Sequence, residues 1–124
     1  MVRVPWDVEY TDQFELWWLH ELTEEQQEAI AARVKLLEER GPGLRRPYVG
    51  EIKGSAFDPQ MKELICSEGG ALRILFMFDP RSVAILLLGG DKAGQWQRWY
   101  GQAIPQADEL YREHLKALQD EEDN

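Results

Sequence analysis

The sequence predicts an α+β domain: a short strand and a helical hairpin, then an antiparallel sheet of three to four strands, then a C-terminal helix. Three observations predict it. Apolar residues recur at helical spacing over two adjacent N-terminal segments, three apolar runs follow at hairpin spacing, and the chain closes on another stretch of helical period. The 124 residues suit one core better than two. A single domain is therefore expected over residues 1–119, with the acidic residues 120–124 fraying beyond it.

Trp6, Val8 and Tyr10 alternate with Asp7 and Glu9, the period of a half-buried strand. Thr11 or Asp12 caps the first helix, in which Phe14, Trp17, Trp18 and Leu22 share one face and are read as core. Thr23 opens the second helix. Gln26 is its capping-box partner, and Glu24 and Glu25 oppose the helix dipole in the first turn. Ile30, Val34 and Leu37 form the buried face, and Gly41-Pro42-Gly43 stops the helix after about Arg40.

A loop carrying Arg45, Arg46 and Pro47 leads to a short strand from Val49 to Lys53. The runs Met61 to Ser67, Leu72 to Phe78 and Val83 to Leu88 are then separated by Glu68-Gly69-Gly70 and Asp79-Pro80-Arg81-Ser82, spacers suited to hairpin turns. Val83 to Leu88 is apolar at every position, the mark of a central strand covered on both faces. The helices are expected to lie largely on one face of this sheet. Ala107, Leu110, Tyr111, His114 or Leu115, and Leu118 form the apolar stripe of the last helix, which begins near Ile104.

Composition narrows the function. No apolar run approaches the ~20 residues of a membrane span, and the N-terminus lacks a signal-peptide core. A cytoplasmic protein without membrane contact is expected. Cys66 is the single cysteine, so an internal disulfide, a Cys-rich zinc site and a CxxC motif are excluded, and it is read as a buried strand residue. HExxH, GxSxG, P-loop and GxGxxG patterns are absent; neither a metal nor a cofactor is expected.

The net charge of -9 argues against long-range attraction to nucleic acid. Its distribution is uneven. Residues 1–40 hold 4 basic and 10 acidic side chains, residues 41–102 hold 8 and 6, and residues 103–124 hold 2 and 7. The middle of the chain is alone in being basic, and a positive cleft there can hold a phosphodiester at short range.

Metal-free acid–base chemistry, or no chemistry, remains. RNA supplies its own nucleophile, the 2′-hydroxyl; cleavage then needs a proton acceptor, a proton donor to the leaving 5′-oxygen, and cations at the phosphate. Arg73 lies in phase with Leu75 and Met77 in an apolar strand, where it is either a phosphate clamp or a bridge to a carboxylate such as Glu63. Lys92 ends the run Gly89-Gly90-Asp91-Lys92, whose glycines allow close backbone approach to a ligand or form an ordinary turn. Lys62, Arg98 and Tyr100 lie near the same strand ends in sequence. Trp96 and Trp99 are base-stacking surfaces or core plugs. His114 falls beside the buried stripe and is read as packed, and His20 as a cation near a helix C-terminus.

Met61-Lys62-Glu63-Leu64, Phe78-Asp79-Pro80, Gly89-Gly90-Asp91-Lys92, Trp99-Tyr100, Ile104-Pro105, Leu110-Tyr111 and Glu113-His114-Leu115 occur in an order that resembles the HigB-like, phage-associated branch of the RelE/ParE toxin superfamily. Phe14 with Trp17 and Trp18, and Gly41-Pro42, extend the likeness over nearly the whole chain. The resemblance implies a RelE-like fold and a type II toxin that cleaves mRNA in the ribosome without metal, inhibiting translation. It assigns Arg73 and Lys92 to the phosphate and Tyr100 or Asp91 to proton transfer; Lys62 and Arg98, by their nearness to these strand ends, and Trp99, as a stacking surface, are the expected RNA contacts. The implied partners are the ribosome with its mRNA and a cognate antitoxin, usually a helix-turn-helix protein, in a hetero-oligomer. One position departs: the family pattern places an arginine after MKEL, and this chain has Ile65. Isoleucine cannot contact a phosphate, which shifts weight onto Arg73. Two alternatives follow: a weakened or non-catalytic relative that binds antitoxin as a regulator, and a ParE-like gyrase inhibitor.

Overall fold

The computed structural model describes residues 5–123. In chain order the elements are β1 (Val8–Tyr10), α1 (Asp12–Glu21), α2 (Glu24–Arg40), β2 (Val49–Glu51), β3 (Lys62–Cys66), β4 (Leu72–Phe78), β5 (Ala84–Asp91) and α3 (Trp96–Glu122). Both helix starts form as their capping residues dictate. The Thr11 hydroxyl accepts the Phe14 N–H at 3.0 Å and donates to the Leu87 carbonyl at 2.7 Å, so the cap also fastens α1 to the sheet. At α2 the Thr23 hydroxyl accepts from the Gln26 N–H, while the Gln26 side chain accepts from the Thr23 N–H at 2.9 Å.

The fold class is α+β, as expected, but the sheet is wider than the sequence indicated. Five strands lie in the order β1-β5-β4-β3-β2. β1 runs parallel to β5, with Val8 opposite Ala84, and every other pair is antiparallel. The sheet is therefore mixed. A three-residue strand cannot announce a partner at the far end of the core, and no turn signal links the two.

The helices also divide between the two faces instead of sharing one. Phe14, Ile30, Leu37, Leu64, Ile74, Phe76 and Leu86 pack with α1 and α2 on one side. Met61, Leu75, Met77, Ile85, Leu87, Ala103, Ala107 and Tyr111 pack with α3 on the other. β4 and β5 are apolar at both parities, so each face needs a cover, and α3 provides the second. Small Ala103 and Ala107 at the contact let α3 lie close to the strands. α3 begins earlier than its apolar stripe suggested, so Pro105 sits inside it, and helical geometry continues to Glu122.

Leu75 pairs with Leu88 and Phe76 with Leu86, which leaves Leu87 as an extra residue in β5. This bulge puts Leu87 and Leu88 together on the α3 side and sets the direction of Gly89, Gly90 and Asp91 beyond it.

Candidate active site

Glu63 on β3 and Arg73 on β4 are carried to the α3 face of the sheet by the strand period of two. In the ladder Glu63 stands opposite Leu75 and Ile65 opposite Arg73, and both Leu75 and Arg73 share the parity that faces α3. The first turns of α3 bring Tyr100 over them. Its hydroxyl donates to Glu63 Oε1 at 2.5 Å, and Arg73 Nε lies 3.6 Å from the same oxygen. Arg73 also donates through Nη1 to the Leu72 carbonyl at 2.9 Å, while its buried Nε has no hydrogen-bond partner among the described residues. The guanidinium is thus anchored with a donor unspent.

Burial pushes the Tyr100 phenol well above its ordinary range, and the hydrogen bond and charge of Glu63 push in the same direction against a smaller opposing pull from Arg73. Tyr100 therefore keeps its proton at neutral pH. Lys92 Nζ stands 5.3 Å from the centroid of the Tyr100 ring, a cation–π placement that holds a second positive charge beside the cluster. Arg73, Lys92, Tyr100 and Glu63 are brought together.

The two glycines before Asp91 serve packing. A Cβ at Gly89 would collide with the Trp17 indole on the α1 face, and one at Gly90 with the Trp99 indole on the α3 face. Trp99 is half-buried against Gly90 and meets Tyr100 edge-on at 5.0 Å, and Trp96 lies 56% exposed beside Tyr100. Of the two, Trp96 offers the freer stacking surface.

Other residues singled out from sequence lie apart from the cluster. Asp91 Oδ1 accepts the N–H groups of Ala71 and Ala93, at 3.2 and 3.0 Å, and so clips the turn before β4 to the turn after β5. Arg98 is exposed at the rim, in a shallow groove with Asp91, Gln95 and Gln102. Lys62 is turned to the opposite face: it pairs with Phe76, a residue of the α1–α2 core, and its ammonium stands 3.8 Å from Glu51. The structure does not bring it to Arg73. Glu63 was visible in sequence only as a partner for Arg73; its sharing a face with apolar Met61 and Ile65 was the signal for more. Cys66 is buried at 1% exposure on the other side of β3. Among the described residues no group of three or more His, Cys, Asp or Glu side chains is arranged to hold a metal ion.

The family model of the phage-derived protein Gp49-like (DUF891) matches residues 17–112, a span that contains the whole cluster. The chain belongs to the Gp49-like family. It is also 44% identical over 105 residues to the candidate toxin HigB2 of Mycobacterium tuberculosis (strain ATCC 25618 / H37Rv), covering 83% of this chain and 52% of that protein. To the candidate toxin HigB3 of the same strain it is 48% identical over 92 residues, covering 74% of this chain and 79% of the relative. The chain thus spans about half the length of HigB2 and most of HigB3. The HigB-like resemblance read from the motifs is borne out. In this Gp49-like fold no described helix is long and apolar enough to cross a membrane.

Proposed function

We propose that this Gp49-like protein is the toxin of a type II toxin–antitoxin system and acts in the cytoplasm as a ribosome-dependent, metal-free mRNA endoribonuclease. The toxin reading rests on kinship with the two HigB proteins. The observation that carries the nuclease reading is the convergence of a buried carboxylate, a protonated phenol, a guanidinium with an unspent donor and an ammonium on one patch.

These four groups fit the demands of RNA self-cleavage. The 2′-hydroxyl attacks the adjacent phosphorus, Glu63 accepts its proton, and the bond from phosphorus to the 5′-oxygen breaks to leave a cyclic phosphate. Tyr100 gives its proton to the departing oxygen, and the Glu63–Tyr100 hydrogen bond then returns a proton to the phenol. Arg73 and Lys92 oppose the charge that gathers on the phosphate. A ribosome brings mRNA to a chain whose net charge of -9 does not attract it. A helix-turn-helix antitoxin is the expected inhibitor. To test the reading, purified protein is given mRNA alone and mRNA on translating ribosomes. Cleavage only on ribosomes, lost in a folded Arg73→Ala variant, is the expected result. Uncut mRNA in both samples, or full cleavage by folded Arg73→Ala, would defeat it.

Ile65 favours a second reading. It lies directly opposite Arg73 and is half-buried, where the family pattern has arginine. A non-catalytic relative that retains antitoxin binding would show tight association with the antitoxin, no growth arrest and no RNA product.

A further inference from the structure

The chain's positive charge has a second concentration at the free edge of the sheet. β2 is the outermost strand, and a groove of about 680 Å³ beside it is lined by Arg45, Arg46, Lys53 and Lys62, with Glu51 as its one carboxylate. Four of the 14 Lys and Arg residues of an acidic protein thus meet in one concavity. Arg45, Arg46 and Lys53 are exposed and form no ion pair among the described residues; Lys62 reaches only the exposed Glu51, at 3.8 Å. Elsewhere the cations are more often spent: Arg33 pairs with Glu68, Arg81 with Glu9 and Asp79, and Arg112 with Glu109.

Arg46 and Gly50 stand between this groove and the candidate active site. Gly50 sits in β2 opposite Glu63, and a Cβ there would meet Glu63 Oε2 at 3.0 Å and Arg46 Nη2 at 3.2 Å. Arg46 therefore lines the edge groove and also reaches the α3 face beside the carboxylate that Tyr100 and Arg73 share. Lys62, which the sheet turns away from Arg73, belongs to this groove.

We propose that the β2-edge groove is a track for the phosphate backbone of single-stranded mRNA, leading the strand past Arg46 into the Arg73 cluster. The inference rests on the reading of that cluster as an RNA site, and it adds where the flanking strand lies and what holds it. The groove offers point charges and backbone, with no aromatic side chain among its lining residues, so the contact is to phosphate and indifferent to base. It also gives an acidic protein a local means of holding RNA once the strand is delivered.

The test uses a short 2′-O-methyl RNA oligonucleotide, which keeps the phosphates and lacks the attacking hydroxyl. Its binding is followed by fluorescence anisotropy over a series of salt concentrations for wild type, the double variant Arg45→Glu with Lys53→Glu, and the control Arg112→Glu on α3. Circular dichroism checks that all three are folded. The double variant is expected to bind at least tenfold more weakly, with the slope of log affinity against log salt shallower by about 1.4, that is ~0.7 for each lost phosphate contact. Arg112→Glu should stay within about twofold of wild type. Equal affinity and slope in the double variant, or no binding by wild type at low salt, would overturn the proposal. Cleavage is scored separately. RNA binding that depends on the groove in a protein that cuts nothing would remove the nuclease reading and leave the track; ribosomal cleavage together with groove-independent binding would do the reverse.

Discussion

At Arg73 the geometry shows the carboxylate contact the sequence allowed and leaves a donor for the other meaning, a phosphate clamp, which is the one proposed. The guanidinium lies 3.6 Å from Glu63, yet its Nε finds no acceptor. Tyr100→Phe, which leaves the buried Glu63 carboxylate one donor short, should cost about 1–3 kcal/mol in urea unfolding at neutral pH. The folded phenol has its pKa raised above the ordinary value of 10.0. The folded state therefore holds this proton more tightly, and the stability it contributes is full below pH 10 and falls as pH rises beyond it. The gap between wild type and Tyr100→Phe should narrow above pH 10; a constant gap would separate the shift from the hydrogen bond. Opposite Arg73, Ile65→Arg supplies a cation where the family pattern has one and, if the cluster cleaves RNA as proposed, should raise cleavage about a hundredfold, at the low side of what one such group supplies. An unchanged rate in a folded variant would show that Ile65 does not limit the site. Arg73 stood out as a candidate because an arginine in an apolar run needs a partner or a rim, Lys92 because it follows Gly89-Gly90, and Tyr100 because it lies near the strand ends in sequence; the fold brings the three together. Lys62 was grouped with them by nearness in sequence, although the period of two already set it on the face opposite Glu63 and Arg73.

Among the elements, the β4–β5 turn ties the sheet to α3 through Asp79. Asp79 Oδ1 accepts the N–H groups of Arg81 and Val83, at 2.8 and 3.1 Å, while Oδ2 takes the Arg81 guanidinium and His114 Nε2 at 2.8 Å. Arg81 continues to Glu9 on β1 at 2.8 Å. Burial pushes the Asp79 carboxyl up, and the hydrogen bonds from His114, Arg81 and Val83 outweigh it and hold the group below its ordinary 3.8. Its stabilising contribution is thus present above pH 4 and is lost as pH falls below it. Asp79→Asn should cost about 2–3 kcal/mol at pH 7, and the difference should shrink progressively as the pH is lowered below 4; an undiminished difference in acid would contradict the ionised pairing. Gly90→Ala drives a methyl into Trp99 and should destabilise by about 1–3 kcal/mol, with a change in tryptophan fluorescence that a remote surface glycine would not give. Caps, hairpins and the central strand were legible because their signals are local. The turn at Phe78-Asp79-Pro80 and the packed His114 were each foreseen, but their contact joins residues far apart in sequence and lies outside any periodicity. The parallel β1–β5 pair and the start of α3 at Trp96 were hidden for the same reason: a three-residue strand and a polar first turn carry too little pattern.

Over the whole molecule, charge is sorted by location. Residues 1–40 and 103–124 are acidic, and the basic middle supplies both the Arg73 cluster and the β2 edge. The uneven distribution was readable from composition; that it resolves into one cluster and one groove depends on strand order, which places β2 at the rim and Arg73 two strands inward. On the proposed function, a protein so arranged would hold RNA only at short range and repel it at a distance, so its action on mRNA should depend on a ribosome that presents the strand. The most direct test is tightly regulated expression of wild type and Arg73→Ala, with growth followed and new 5′ ends in mRNA mapped to the reading frame. Growth arrest with in-frame cuts that vanish in soluble, folded Arg73→Ala is the predicted result; intact mRNA and normal growth with soluble wild-type protein would contradict the nuclease account.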